Sequence, residues 1–125
     1  TATGNINAHI YNNYVGGNTT RDYDAASGSF LNGDYNVSSD ATAPGTHKAT
    51  GKTDYASYFV NTSSDYHLKN SSLNLFGLRG KDLSSTFKLD IDGQTRGGKW
   101  DIGADQYWVS TTNAKTNIRG GANFR

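Results

Sequence analysis

The sequence has no cysteine and no methionine, no glutamate, and one proline, Pro44. Without cysteine, disulfide staples and thiol catalysis are excluded. The chain then fits either a reducing compartment or a secreted bacterial protein stabilised by other means. The lack of glutamate argues against helices, which favour Glu, Lys, Leu and Ala. No apolar run reaches the roughly 18 residues of a membrane-spanning helix. The net charge of +1 points to neither a nucleic-acid nor a membrane-surface partner. No serine sits in a G-x-S-x-G elbow and no glycine-rich phosphate loop precedes a helix. The opening Thr1-Ala2-Thr3-Gly4 is neither a signal peptide nor a natural start, so a processed product or an excised piece of something longer is expected.

What is there is 125 residues, 34% hydrophobic, with eight Tyr, five Phe and two Trp. That length suits one domain. Disordered chains are poor in aromatics and usually carry high net charge, so a folded chain is expected. Abundant Asn, Gly, Ser and Thr suit short strands and many turns.

Along the chain, Ile6, Ala8 and Ile10 alternate with Asn5, Asn7 and His9, which predicts a strand with one buried face. Asn12-Asn13 breaks the alternation, and Tyr14-Val15 resumes it. The break reads either as a hairpin turn or as a bend of a stacked coil, with Asn in the left-handed conformation. Residues 19–29 read as a loop with Arg21, Asp22 and Asp24 in a solvated cluster. Asn32-Gly33 is a turn signal between apolar pairs. Residues 38–54 are the longest polar stretch and predict a surface loop. Leu73, Leu75, Phe76 and Leu78 predict a buried strand or a short capping turn, and residues 82–87 allow one helical turn.

The most specific stretch is residues 89–107, which hold Asp90, Asp92, Arg96, Asp101 and Asp105 with four glycines, Trp100 and Tyr107. Asp90 and Asp92 share one face of a strand, and Leu89 and Ile91 share the other. Asp92-Gly93 turns the chain, and Ile102 and Ala104 suggest a second short strand. Arg96 is placed to bridge carboxylates from both strands. The cluster has two chemical readings. Asp90, Asp92 and Asp101 could offer hard oxygen ligands to calcium, although the spacing fails the EF-hand pattern because Thr95 stands where glycine is needed. Otherwise Arg96 and Lys99 neutralise the acids while turn N–H groups take the remaining oxygens.

The pattern D-I-D-G-x-x-R, followed by D-I-G-A-D-x-Y, resembles the closing segment of secreted bacterial right-handed parallel β-helix proteins. Ile10-Tyr11-Asn12-Asn13-Tyr14-Val15 resembles an Asn-turned coil of such proteins. Asp34-Tyr35-Asn36-Val37, Phe59-Val60-Asn61 and Asp65-Tyr66-His67-Leu68 resemble the irregular coils before the closing motif. The resemblance covers roughly residues 5 to 107 and departs from the family at residues 71–77. It implies an all-β fold, a short right-handed parallel β-helix over residues 1–107, and an extracellular or cell-surface location, often with polysaccharide contact.

A coil of this kind cannot bury its own faces, and an open upstream edge recruits another strand. The first function class is therefore an extracellular structural or surface-assembly subunit, stacked head to tail on a copy of itself or on the remainder of a precursor, which can propagate into filaments. The C-terminal extension 108–125, with Val109, Ile118, Arg119, Phe124 and Arg125, is the strand expected to reach a neighbour. The second class is a carbohydrate-binding or adhesive module with Tyr11, Tyr55 and Trp108 stacking on sugar rings. The third is the terminal fragment of a polysaccharide lyase or hydrolase. No catalytic residue is assigned: paired carboxylates can serve glycoside hydrolysis, but these lie at turns of a terminal segment. His9, His47 and His67 show no ligand spacing, and calcium is the only cofactor suggested.

Overall fold

A computed structural model describes residues 6–25 and 29–108. Strands β1 (Asn7–Tyr11) and β2 (Tyr14–Val15) are followed by β3 (Phe30–Asp34), β4 (Asn36–Ser38) and β5 (Lys48–Ala49). Then come a helical turn α1 (Tyr55–Tyr58), strands β6 (Phe59–Asn61) and β7 (Asp65–Leu68), and helix α2 (Ser72–Phe76).

The alternation at residues 6–10 gives strand β1 but not the expected buried face, since Ile6 lies outside it and is 68% exposed while Ala8 and Ile10 are half-buried. Its partner is β3 running parallel. Asn7 faces Phe30 and Tyr14 of β2 faces Val37 of β4, the same step of 23 residues in both pairs. The bends obey it too, since Asn12 and Tyr35 both take the left-handed conformation at φ 59°. Asn36 ties the two levels together. Its buried amide donates to Ile10 O at 2.9 Å and to Pro44 O at 3.3 Å, while its Oδ1 accepts from Asn13 N at 3.1 Å. An amide that pairs backbone groups on neighbouring chains removes the cost of burying them.

The stacking goes no further, and the expected parallel β-helix is not what forms. The strands lie in separate small sheets, with orders β1–β3, β2–β4–β5 and β6–β7. Among the described residues none closes on itself or continues as a solenoid. At β5 the step shrinks to 12 residues, Asn36 facing Lys48, because residues 39–47 fold back at once. There Asp40 Oδ1 accepts from Thr42 N at 2.8 Å. Then β6 and β7 pair antiparallel, the reversal being held by Ser64 N on Asn61 O and Ser63 N on Asn61 Oδ1.

Other local expectations are also corrected. Asn32-Gly33 lies inside β3, not at a turn, because β1 runs directly against it. A Cβ on Gly33 would stand 1.7 Å from Ile10 O. Asp22 is not part of a solvated cluster with Arg21 and Asp24. It accepts from Ser39 N at 2.5 Å and Ser39 Oγ at 2.6 Å. Desolvation pushes its carboxyl up, and these bonds, with those from Asn18 and Asp40, together outweigh it and hold it below the usual range. The uncharged run at 71–78 holds α2, begun by Ser71, whose Oγ accepts from Asn74 N, and closed by Gly77 at φ 74°. This is a Ser N-cap with a left-handed Gly C-cap.

Val37, Tyr58, Phe59, Leu68, Phe76 and Ile102 form the core, with Tyr14 packed on it. Tyr14 meets Tyr55, Tyr58 and Phe59 edge-on and stacks on Phe76, all with ring centroids within 5.8 Å. Each such pair contributes about 0.5–1.5 kcal/mol beyond area burial, so aromatic packing compensates for a low aliphatic content. No helix of the described residues is long and apolar enough to cross a membrane.

Candidate functional site

The closing segment 89–107 packs against β7 and the Asn12 bend. It does not form the two expected strands. Its ladder is one antiparallel bridge, Leu89 to Thr95, and residues 102–104 are a bend. Local chemistry explains the turn at its start. Asp90 Oδ1 accepts from Asp92 N at 3.0 Å and Gln94 N at 2.9 Å, with Gly93 at φ 77°. An Asp that bonds its own backbone two residues on nucleates such a turn.

That turn aims Asp92 at β7. Asp92 Oδ1 lies 2.9 Å from His67 Nε2, and Asp65 Oδ1 is in close hydrogen-bond contact with His67 Nδ1. Asp65 and His67 are two apart on one strand, so their side chains share a face. The bond to Asp92 raises the His67 pKa above its ordinary value, partial burial opposes this, and Asp65 and the charge of Asp105 add to the rise. Asp105 is 1% exposed, and its Oδ2 accepts from Leu68 N at 2.7 Å. Ligand atoms of His67, Asp92 and Asp105 all lie within 4.8 Å of one another.

The sequence-predicted residues divide between this cluster and two other settings. Asp101 is fully buried and is the hub of a separate network. It accepts from Ser72 N at 2.7 Å, Arg79 Nη1 at 2.8 Å, Tyr107 N at 2.9 Å and Gln106 Nε2 at 3.2 Å. Asp90, Asp92 and Asp101 therefore face different partners. Arg96, buried beside Trp100 with its guanidinium 4.9 Å from the ring, donates to the carbonyls of Asp101, Gly103 and Ala104. Burial lowers its pKa, opposed by the charges of Asp90, Asp105 and Asp101. It acts on those acids through its field, and the cation on Asp101 is Arg79.

Of the candidate sugar-stacking residues, Tyr11 lies under Lys81 Nζ at 4.3 Å, Tyr55 packs on Tyr14, and Trp108 lies beside Gly97. Val109, Ile118, Arg119, Phe124 and Arg125 fall outside the described residues. Tyr11 lines a groove of about 650 Å³ whose walls include Tyr66, Phe87, Leu89, Ile91 and Trp100. Four of these, Tyr66, Phe87, Leu89 and Ile91, are large apolar side chains left exposed.

Arg79 and Gln106 were not singled out from the sequence, Asp65 entered only as part of a coil-like stretch, and His67 was read there as an isolated histidine without ligand spacing. The pair Asp65-x-His67 carried a usable signal, a carboxylate and an imidazole on one strand face, but nothing in it pointed to Asp92. Both ring nitrogens of His67 face carboxylates, so the imidazole is held in place and is not poised over a substrate proton. Compared with family models, curated proteins and solved structures, the chain matches none.

Proposed function

We propose that the chain is an extracellular assembly subunit that receives a strand of another copy along the outer edge of β1 and β2. The carrying observation is that edge. β1 and β2 stand at the outside of their sheets, both pair inward in parallel with the same 23-residue step, and among the described residues no strand covers their other side. Such an edge presents N–H and C=O groups at the spacing of a further strand. The groove beginning at Tyr11 adjoins it and offers exposed apolar side chains to the incoming chain. The likeness of residues 89–107 to the closing segment of secreted proteins supports the extracellular location. An edge on one copy paired with a different surface on the next gives a head-to-tail contact, which grows into filaments unless it closes.

His9→Pro tests this. Ile10 O points toward β3, where a Cβ on Gly33 would stand 1.7 Å from it, so by alternation the N–H and C=O of His9 point outward. Proline there removes an outward donor and leaves the inward ladder in place. Sedimentation and negative-stain microscopy across a concentration series should show assembly of the native chain and monomers of the variant, with equal melting temperatures. A native chain that stays monomeric throughout, or a variant that assembles equally well, refutes the reading. A second reading, polysaccharide binding, is favoured by the aromatic walls of the groove, and retention on immobilised polysaccharide should then fall on Tyr66→Ala.

A further inference from the structure

We infer that His67, Asp92 and Asp105 form a binding site for a divalent first-row transition ion, with His67 Nε2 and one oxygen of each carboxylate as ligands. The site is independent of the assembly edge and uses a different residue set from the calcium reading. Three separate segments converge on it: β7, the turn after Asp90, and the end of the closing segment. Their ligand atoms already lie within 4.8 Å of one another. Adjacent ligands of a tetrahedral ion with bonds near 2.0–2.1 Å stand about 3.3 Å apart. The 2.9 Å between His67 Nε2 and Asp92 Oδ1 therefore needs to open by only a few tenths of an ångström.

Three further features point to a cation. Asp92 Oδ2 is closed to solvent and accepts no hydrogen bond, an orphaned anionic atom that an ion would satisfy. Asp65 holds Nδ1, which is how metal-binding imidazoles are oriented, with the free nitrogen offered to the ion and the other bound to a carboxylate. Finally, three carboxylates face this one imidazole, with Asp65 on Nδ1, Asp92 on Nε2 and Asp105 beside them.

One imidazole and two carboxylates select zinc, cobalt or manganese over calcium, which takes six to eight oxygens. Three protein ligands leave one position for water. Asp105 is buried while His67 and Asp92 are partly exposed, so the ion enters from the His67 side. When His67 is protonated, binding displaces one proton from Nε2 to solvent, and affinity therefore rises with pH until the ring is neutral.

The test is a titration of the full chain with Co²⁺ alone, followed by its visible absorption. Saturation at one ion per chain and displacement by Zn²⁺ are expected. His67→Gln and Asp92→Asn should each weaken binding by about 100-fold or more. Asp65→Asn should weaken it about 10–100-fold, and His9→Gln and His47→Gln should leave it unchanged. Absence of saturable binding, binding that survives both His67→Gln and Asp92→Asn, or loss in His9→Gln overturns the assignment. Should the variants not fold, nitrogen NMR of the native imidazoles decides: Zn²⁺ must move Nε2 of His67, and a change confined to His9 or His47 refutes the site.

Discussion

Asp101→Asn is the sharpest probe of how the closing segment is held. The native carboxylate is fully buried and accepts four bonds. Oδ1 takes Ser72 N at 2.7 Å and Arg79 Nη1 at 2.8 Å, and Oδ2 takes Tyr107 N at 2.9 Å and Gln106 Nε2 at 3.2 Å. Asparagine keeps the shape but turns one acceptor into an NH₂ group. Whichever way the amide lies, a buried backbone N–H loses its acceptor, at about 1–3 kcal/mol, and the other bonds lose their charge assistance. Arg79 is 34% exposed in its side chain and returns to water, so its own loss is held to about 1 kcal/mol. The expected destabilisation is about 2–4 kcal/mol, a large part of the 5–15 kcal/mol typical of a domain. It should appear as a drop of about 10 °C in melting temperature. Urea unfolding followed by tryptophan fluorescence measures it, because Trp100 is buried in the same segment. Arg79→Ala is the comparison and should cost about 1 kcal/mol. If Asp101→Asn costs no more than Arg79→Ala, the buried backbone donors are not what the carboxylate is there to satisfy.

Two further outcomes follow from the same wiring. The fold favours protonated His67, chiefly through Asp92 and then Asp65, against partial burial. The stability this adds is therefore fully present below the unfolded value of about 6.5 and is lost as pH rises through the higher folded value. In the presence of a chelator, the urea midpoint should fall as pH is raised above about 6.5 and stay flatter in His67→Gln; a midpoint that climbs over that range contradicts the geometry. Gly33→Ala should cost about 3 kcal/mol or more, since its Cβ would stand 1.7 Å from Ile10 O and the β1–β3 register would have to open. Gly51→Ala, at φ +70° with nothing within 4 Å, should cost only about 1–2 kcal/mol for the left-handed backbone. Equal melting temperatures for the two variants would mean that β1 and β3 are not packed as described.

What could be read from the sequence was what short range decides. The alternation at residues 6–10 formed β1, and Asn12 adopted the left-handed bend. Asp90 folded back on N–H groups two and four residues along its own chain. Interactions across longer separations escaped such reading. Asp101 reaches Ser72 across 29 positions and Asp105 reaches Leu68 across 37, and no periodicity encodes either. Arg96 shows why proximity in sequence misleads. It stands among four acids, yet the carbonyls of Asp101, Gly103 and Ala104 claim its donors. Those carbonyls lie in an irregular bend, where a backbone N–H reaches Ala104 O from Ile91 and the guanidinium supplies further donors to a segment without a regular ladder. The acids found other donors: Asp90 and Asp105 their neighbours' backbone, Asp101 Arg79, and Asp92 His67. The turn signal at Asn32-Gly33 failed for a related reason. Glycine serves a close approach as readily as a turn, and here β1 passes so near that the bend moved on to Tyr35, whose ring stacks on His47 at 4.8 Å. The parallel step of 23 residues ended where β5 came back after 12, and the resemblance to a longer stack could not foresee that shortening. The closing end is held by buried carboxylates, whereas β1 and β2 stand at the edges of their sheets, and neither the long-range bonds nor the edge position is written in a local pattern.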